Sequence, residues 1–176
     1  IGFVVSEVTI RARSARHRVG TRRDRGSILA VVTGLAAGAI GAVRCALALP
    51  GATVPGWAPV LAGVALMWLG VALRQWSVRV LGRSFTVAVR VTEGQQVVTG
   101  GPYRWVRHPA YSGLLLTTAG FGLALGNWVS LLCAVLLPAL GLVVRIRVEE
   151  RALSEALGAP YREYAAGRRR LVPGIW

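Results

Sequence analysis

The sequence predicts an all-α integral membrane protein with about four to five transmembrane helices, the last two forming a helical hairpin. Three observations lead to this prediction. The chain of 176 residues is 54% hydrophobic and 16% charged, with a mean hydropathy of +0.54, which is too apolar for an ordinary soluble domain. It contains apolar tracts long enough to enter a bilayer. All of its arginines except Arg44 lie outside these tracts.

The first half of the chain contains two candidate spans. They are predicted at Ser27–Leu49, interrupted only by Arg44, and at Trp57–Leu73. Each is close to the ~20 apolar residues that a helix needs to cross the hydrocarbon core. The stretch before them, IGFVVSEVTI, has the composition of the end of a further apolar helix, and Ile1 is not an initiator methionine. We therefore expect the chain to be truncated at Ile1.

The third apolar tract, Pro109–Val144, runs for 36 residues without a charge. Gly126 and Asn127 interrupt it near its middle, and such residues favour a turn. The tract is therefore predicted to form two rather short helices in a tight hairpin. Pro109 suits the first turn of a helix, where its missing N–H costs little, so the hairpin should begin there, with His108 just outside it.

The net charge of +14 raises the question of a nucleic-acid partner. Seven arginines precede the first span, six follow the second, and seven follow Val144, whereas none lies in Pro50–Gly56 or at the hairpin tip. In an up-and-down topology all three clusters fall on one side, as the positive-inside rule requires of a cytoplasmic face. Membrane orientation and attraction to anionic lipids explain the charge, so no nucleic-acid partner is predicted.

The cysteines and glycines are predicted to serve packing. Cys45 and Cys133 have no Cys or His at ligand spacing, so we expect small buried hydrophobic residues and no metal site. The run GFGLALG imitates a dinucleotide-binding fingerprint, but it lies inside an apolar helix rather than after a strand. Two pairs of glycines four residues apart are predicted to allow close helix packing. They are Gly34 with Gly38, and Gly122 with Gly126.

Polar chemistry is concentrated in two segments, one on each side of the hairpin. In the first, the chain breaks at the glycines and proline of TGGP, and Tyr103, His108 and Tyr111 are predicted to cluster at the cytoplasmic mouth of the membrane helices. Since the hairpin returns the chain to the face it started from, the second segment, Arg145–Pro173, should complete the same site.

The second segment begins with a helix that Gly158 is predicted to end. Arg145 and Glu149 are four residues apart and therefore share a helix face. Arg145 directly follows the long apolar run, where an ionisable side chain faces a cavity more often than lipid. Glu150 points away from that face and is predicted to pair with Arg147.

The C-terminal half of the chain resembles the integral membrane isoprenylcysteine carboxyl methyltransferases and, more broadly, the phospholipid methyltransferase superfamily. The resemblance is carried by VVTGGPYRWVRHPAYSG, by the hairpin and by RIRVEERALSEALGAPYREY. The resemblance covers Gln95 to about Pro173. It implies a single membrane-embedded domain over residues 1–176. Residues 1–94 would supply membrane helices and basic linkers. Residues 95–176 would form the catalytic half, in which a cytoplasmic C-terminal helix completes the site.

The resemblance also implies S-adenosyl-L-methionine as the cofactor. Glu149 would take the amino group of the cofactor and Arg145 would hold the carboxylate of the substrate, which makes these two the implied catalytic residues. Ala88 stands where the eukaryotic members have a polar residue, so the resemblance does not imply that contact for this chain. Further cofactor contacts are implied for Gln95, Gln96, Val97, Val98, Tyr103, His108, Pro109, Ala110 and Tyr111.

The implied reaction is methyl transfer to a lipophilic small-molecule or prenylated acceptor at the cytoplasmic face of the inner or plasma membrane. The acceptor group is predicted to be a carboxylate, which is already ionised at neutral pH and needs no general base. One alternative is a phospholipid N-methyltransferase, with His108 as the base. Another is a sterol-reductase-like enzyme whose Arg168–Arg170 would bind NADPH. A third is a membrane scaffold without turnover, against which the compact polar cluster argues.

Overall fold

The structure is a computed structural model that describes residues 26–82 and 97–172. Within these ranges the chain forms helices α1 (Gly26–Ala48), α2 (Ala58–Leu81), α3 (Pro109–Ala124), α4 (Trp128–Leu157) and α5 (Ala159–Ala166). Short 3₁₀ turns at Pro50–Ala52 and Gly101–Arg104 precede α2 and α3. The predicted all-α class is thus confirmed. The predicted apolar stretch at the N-terminus lies outside the described residues, as do Ala88, Gln95 and Gln96.

Three of these helices, α1, α2 and α4, are long and apolar enough to cross a membrane by their length and composition. Helix α3, with 16 residues, corresponds to the shorter arm of the predicted hairpin. Leu47, Leu61 and Leu140 are among the large apolar side chains that lie exposed on these helices. A soluble monomer rarely exposes so much apolar surface, whereas lipid solvates it without cost.

The helix boundaries follow from local chemistry. Helix α3 begins at Pro109, as predicted, and α1 ends just before Leu49, the residue that precedes Pro50 and is therefore disfavoured in a helix. The predicted break in the third tract is also confirmed. Gly126 adopts a φ of 62°, which favours glycine. Asn127 then caps α4, because its Oδ1 accepts the backbone N–H groups of residues 129 and 130 at 3.0 and 3.1 Å.

The chain divides into two compact units, each built from segments distant in sequence. In the described ranges, unit 1 contains residues 73–82, 97–112 and 146–172, and unit 2 contains residues 26–72 and 113–145. Unit 1 contains most of the residues predicted to bind the cofactor. Unit 2 contains most of the apolar helices.

Glycines allow the helices of unit 2 to pack closely. A Cβ on Gly38 of α1 would lie 2.8 Å from the Pro138 ring in α4, and one on Gly122 of α3 would lie 2.7 Å from the Cα of Leu131. The predicted packing role is confirmed for these glycines and for Gly34, whose Cβ would meet the backbone of α4. Gly126 differs, because its positive φ serves the turn between α3 and α4.

The two cysteines also lie in unit 2. Cys45 and Cys133 are free thiols, and their Sγ atoms are 3.9 Å apart. Both are half-buried rather than fully buried. Among the described residues no group of three or more His, Cys, Asp or Glu side chains has the arrangement of a metal site.

Candidate functional site

The 3₁₀ turn at Gly101–Arg104 places an aromatic side chain inside unit 1. Gly101 has a φ of 56°, and Tyr103 two residues later is buried. Burial, followed by the negative charge of Glu149, raises the pKa of Tyr103 above its usual value. The phenol therefore stays protonated at neutral pH. The backbone carbonyl oxygen of Tyr103 accepts a hydrogen bond from the Tyr164 hydroxyl at 2.8 Å.

His108 and Tyr111 lie at the start of α3 and are stacked on each other. Their ring centroids are 5.6 Å apart and their planes are inclined by 18°. His108 is only 6% exposed. The Tyr111 hydroxyl donates to Oε2 of Glu149 at 2.7 Å, which links the first polar segment to α4. The structure therefore brings together His108, Tyr111 and Glu149, three of the predicted cofactor-binding residues.

The other predicted cofactor contacts are placed as follows. Pro109 is the first residue of α3, and Pro109 and Ala110 are both buried. The Ala110 carbonyl oxygen accepts a hydrogen bond at 3.3 Å from the buried Arg74 guanidinium of α2. Val97 and Val98 lie half-buried before the 3₁₀ turn.

Glu150 contacts three basic side chains of unit 1, which the sequence did not indicate. Its Oε1 lies 2.6 Å from Nη1 of Arg107 and 3.4 Å from Nε2 of His108, and its Oε2 accepts from Nε of Arg170 at 3.0 Å. The predicted pairing of Glu150 with Arg147 is wrong. Successive residues of a helix point about 100° apart, so Glu150 faces the segments around residues 107 and 170 while Glu149 faces Tyr111.

The C-terminal segment is hydrogen-bonded to the start of α3. The backbone N–H groups of Arg107 and His108 donate to the carbonyl oxygens of Arg169 and Arg170 at 2.8 and 2.9 Å. Arg168 donates from its Nε to the Arg104 carbonyl at 3.2 Å, and its guanidinium lies over the Tyr164 ring. Arg168 and Arg170, considered above for a 2′-phosphate, thus make contacts within unit 1.

Arg145, the predicted substrate-binding residue, belongs to unit 2. It is 4% exposed, and its Nη1 donates to the Ser27 hydroxyl of α1 at 2.9 Å. Arg145 is therefore buried in protein, in agreement with the expectation that it avoids lipid. Its role toward a substrate carboxylate stays a prediction.

Four residues of unit 1 were missed as site residues by the sequence reasoning: Arg74, Glu150, Tyr161 and Tyr164. Two signals were available. Arg74 ends a long apolar run as Arg145 does, and the same argument about ionisable residues applies to it. Tyr161 and Tyr164 are three residues apart in α5, so they share a helix face, and both are buried. For Glu150 the sequence indicated only that an arginine close along the chain could be its ion-pair partner.

The chain is similar in sequence to known proteins. A family model described as phospholipid methyltransferase matches residues 58–159, which is more than half of the chain. Protein-S-isoprenylcysteine O-methyltransferase B of Arabidopsis thaliana is 35% identical over 105 residues, which cover 58% of this chain and 53% of the relative. The corresponding Schizosaccharomyces pombe protein is 35% identical over 109 residues, covering 61% and 45%. The chain thus spans about half the length of these curated relatives.

One solved structure has a similar fold. It is that of a eukaryotic intramembrane Ras methyltransferase, isoprenylcysteine carboxyl methyltransferase. The TM-score is 0.68 at 23% sequence identity, and the match covers 82% of this chain and 52% of that one. At this identity the likeness concerns the fold alone. Together with the three apolar helices, it identifies an integral membrane protein. By the match over residues 58–159, the chain belongs to the phospholipid methyltransferase family.

Proposed function

We propose that unit 1 binds S-adenosyl-L-methionine and that the protein transfers a methyl group to a lipophilic acceptor, at a carboxylate. The observation that carries this proposal is the cluster of Tyr111, Glu149 and the stacked His108. The Tyr111 hydroxyl holds the Glu149 carboxylate at 2.7 Å, beside two parallel aromatic rings. A carboxylate and aromatic faces together suit a ligand with an ammonium group and a flat heterocycle.

The residues present fit this cofactor. Glu149 offers a half-buried carboxylate for an ammonium group, and Tyr103 and Tyr111 offer aromatic faces close to it. When bound, the cofactor supplies an electrophilic methyl group on a sulfonium. The protein then has to hold the acceptor oxygen in line with that methyl group and exclude water. Such positioning can lower a barrier by up to ~7–11 kcal/mol.

A carboxylate acceptor agrees with the side chains available. It is ionised at neutral pH, so its methylation requires no proton transfer. The imidazole of His108 is buried and lies 3.4 Å from a carboxylate already paired with two arginines. This arrangement suits a structural histidine better than an exposed base. The names of the relatives point to S-isoprenylcysteine, and we extend this to a prenylated or similarly lipophilic acceptor, with Arg145 as the proposed carboxylate-binding residue.

Binding of S-adenosylhomocysteine, the product form of the cofactor, tests the proposal. We expect calorimetry on the purified full chain in detergent to detect binding, and Glu149→Gln to weaken it by about 10-fold or more, because a charge-assisted hydrogen bond is lost. Glu163→Gln is the matched control, since Glu163 is exposed on α5. Unchanged affinity in Glu149→Gln, or no binding to the wild-type chain, would contradict the proposal.

The chemistry of the product separates the carboxylate from an amine acceptor. After incubation of membranes with methyl-labelled cofactor, mild alkali releases labelled methanol from a methyl ester but leaves an N-methyl group in place. We expect alkali-labile label. Alkali-stable label in the phospholipid fraction would instead identify the N-methyltransferase alternative.

A further inference from the structure

An exposed pair of tryptophans lies where the 3₁₀ turn at Gly101–Arg104 meets the end of α2. Trp76 of α2 and Trp105 are 42% and 48% exposed. Their ring centroids are 5.9 Å apart and their planes are inclined by 76°, which is an edge-to-face contact. The turn packs closely on α2, since a Cβ on Gly101 would lie 2.8 Å from the Val80 side chain. Two large apolar rings are thus held side by side at the surface of unit 1.

Two arginines adjoin this pair of tryptophans. The Arg104 guanidinium lies over the Trp105 ring, with its Cζ 4.2 Å from the ring centroid. The Arg168 guanidinium lies 4.6 Å from the centroid of the Tyr164 ring, and its Nε donates to the backbone carbonyl of Arg104 at 3.2 Å. Among the described residues, neither arginine forms an ion pair with a carboxylate. This part of the chain therefore leaves both positive charges without a neutralising side chain.

The position of Trp76 relates the tryptophan pair to the membrane. Trp76 lies near the C-terminal end of α2, a helix with the length and composition of a membrane span. Tryptophan is enriched where a span meets the lipid headgroups, because its ring is apolar and its N–H group is polar. The anions at that level are lipid phosphates, which arginine binds through two parallel N–H groups. Stacking on a ring occupies only the face of a guanidinium and leaves the N–H groups at its edge.

We propose that Arg104 binds the headgroup phosphate of an anionic phospholipid, with Arg168 as a second cation beside it. Trp76 and Trp105 contact the glycerol and the upper part of the acyl chains. The second arginine disfavours a headgroup that carries its own cation, such as choline. This site differs from the general attraction of a basic protein to anionic lipid, because it requires an arginine at one particular position. It adds a lipid site to the proposed methyl transfer and does not depend on it.

Native mass spectrometry of the full chain in detergent tests this site. Phosphatidylglycerol and phosphatidylcholine with identical acyl chains are titrated against the wild-type chain and its variants. We expect the wild-type chain to bind phosphatidylglycerol more tightly than phosphatidylcholine. Arg104→Gln should weaken phosphatidylglycerol binding by about 10-fold, because a charge-assisted hydrogen bond is lost.

Arg162→Gln is the matched control. It removes the same charge from an exposed position of α5. Salt screens the attraction between exposed charges that are not in contact, so this variant should change the affinity by no more than about 2-fold. Equal weakening by Arg104→Gln and Arg162→Gln would overturn the inference, since general attraction to anionic lipid produces that result. A wild-type chain without a preference for phosphatidylglycerol would also overturn it.

A second variant tests the aromatic part of the site. Trp105→Leu keeps the surface apolar but removes the ring beneath Arg104. We expect it to weaken phosphatidylglycerol binding by about 3-fold, through loss of the cation–π contact that holds the guanidinium. Inorganic phosphate at the same concentration as the lipid should not displace phosphatidylglycerol, because it makes no contact with the tryptophans. Displacement by inorganic phosphate would identify a site for a free anion and would contradict the lipid site.

Discussion

At the scale of single residues, the Glu150 carboxylate holds two segments of unit 1 to α4. It contacts Arg107 and His108 from one segment and Arg170 from the other. The side chain is only 11% exposed, so its charge is poorly solvated and depends on these partners. The partners depend on it in turn, because each guanidinium would otherwise lie partly buried next to the other.

We therefore expect Glu150→Gln to destabilise the protein by about 3–5 kcal/mol, the range for removing one partner of a buried ion pair. Denaturant unfolding in detergent, followed by tryptophan fluorescence, measures this change. Glu163→Gln makes the same chemical change at an exposed position and should stay within about 0.5 kcal/mol of wild type. Equal effects of the two substitutions would mean that the Glu150 contacts contribute nothing to stability.

At this scale the sequence can predict contacts between residues that are close along the chain, and it can predict which side chains are buried. The burial of Arg145 followed from its position after an apolar run. Glu150 could be paired only with a neighbour such as Arg147, because Arg107 is 43 residues away. Helix periodicity states which side a residue faces, but not which distant segment lies there.

At the scale of helices, glycines determine how closely α2 and α3 approach within unit 2. A Cβ on Gly120 of α3 would lie 2.5 Å from the Gly63 carbonyl oxygen and 2.6 Å from the Met67 amide nitrogen. Both are backbone atoms, so neither can rotate away. The contact can be relieved only by separating the two helices.

Gly120→Ala should consequently destabilise the protein by roughly 1–3 kcal/mol, the usual cost of overpacking. Gly41→Ala in α1 is the control, because its Cβ would meet Cys133 at an ordinary 3.5 Å. Alanine also has the higher helix propensity, by about 1 kcal/mol, so Gly41→Ala should be neutral or stabilising. The melting temperatures of the two variants test this contrast, which fails if Gly120→Ala unfolds at or above the wild-type temperature.

At the scale of the whole molecule, charge and hydropathy define the relation to the membrane. The helices α1, α2 and α4 have the length and composition of membrane spans. The arginine clusters lie on alternate connections, and the link Pro50–Gly56 contains none. From the positive-inside rule we predict that α5 lies on the cytoplasmic side and this link on the other.

Cysteine labelling tests that orientation. In a Cys45→Ser/Cys133→Ser background, we expect a membrane-impermeant maleimide to label Val54→Cys in right-side-out vesicles and Glu163→Cys in inverted ones. A permeant maleimide serves as the control and should label both variants in both preparations. Labelling of both positions from the same side, or in the reverse order, would contradict the predicted orientation.

The sequence by itself determined the features that depend on local chemistry. These include the apolar spans, the start of α3 at Pro109, the turn at Gly126 and Asn127, and the polar motifs that indicate the family. The tertiary structure alone decided that Glu150 binds Arg107 and Arg170. Helix formation and membrane insertion depend on neighbouring residues and average hydropathy, whereas a buried hydrogen bond depends on which distant segments pack together.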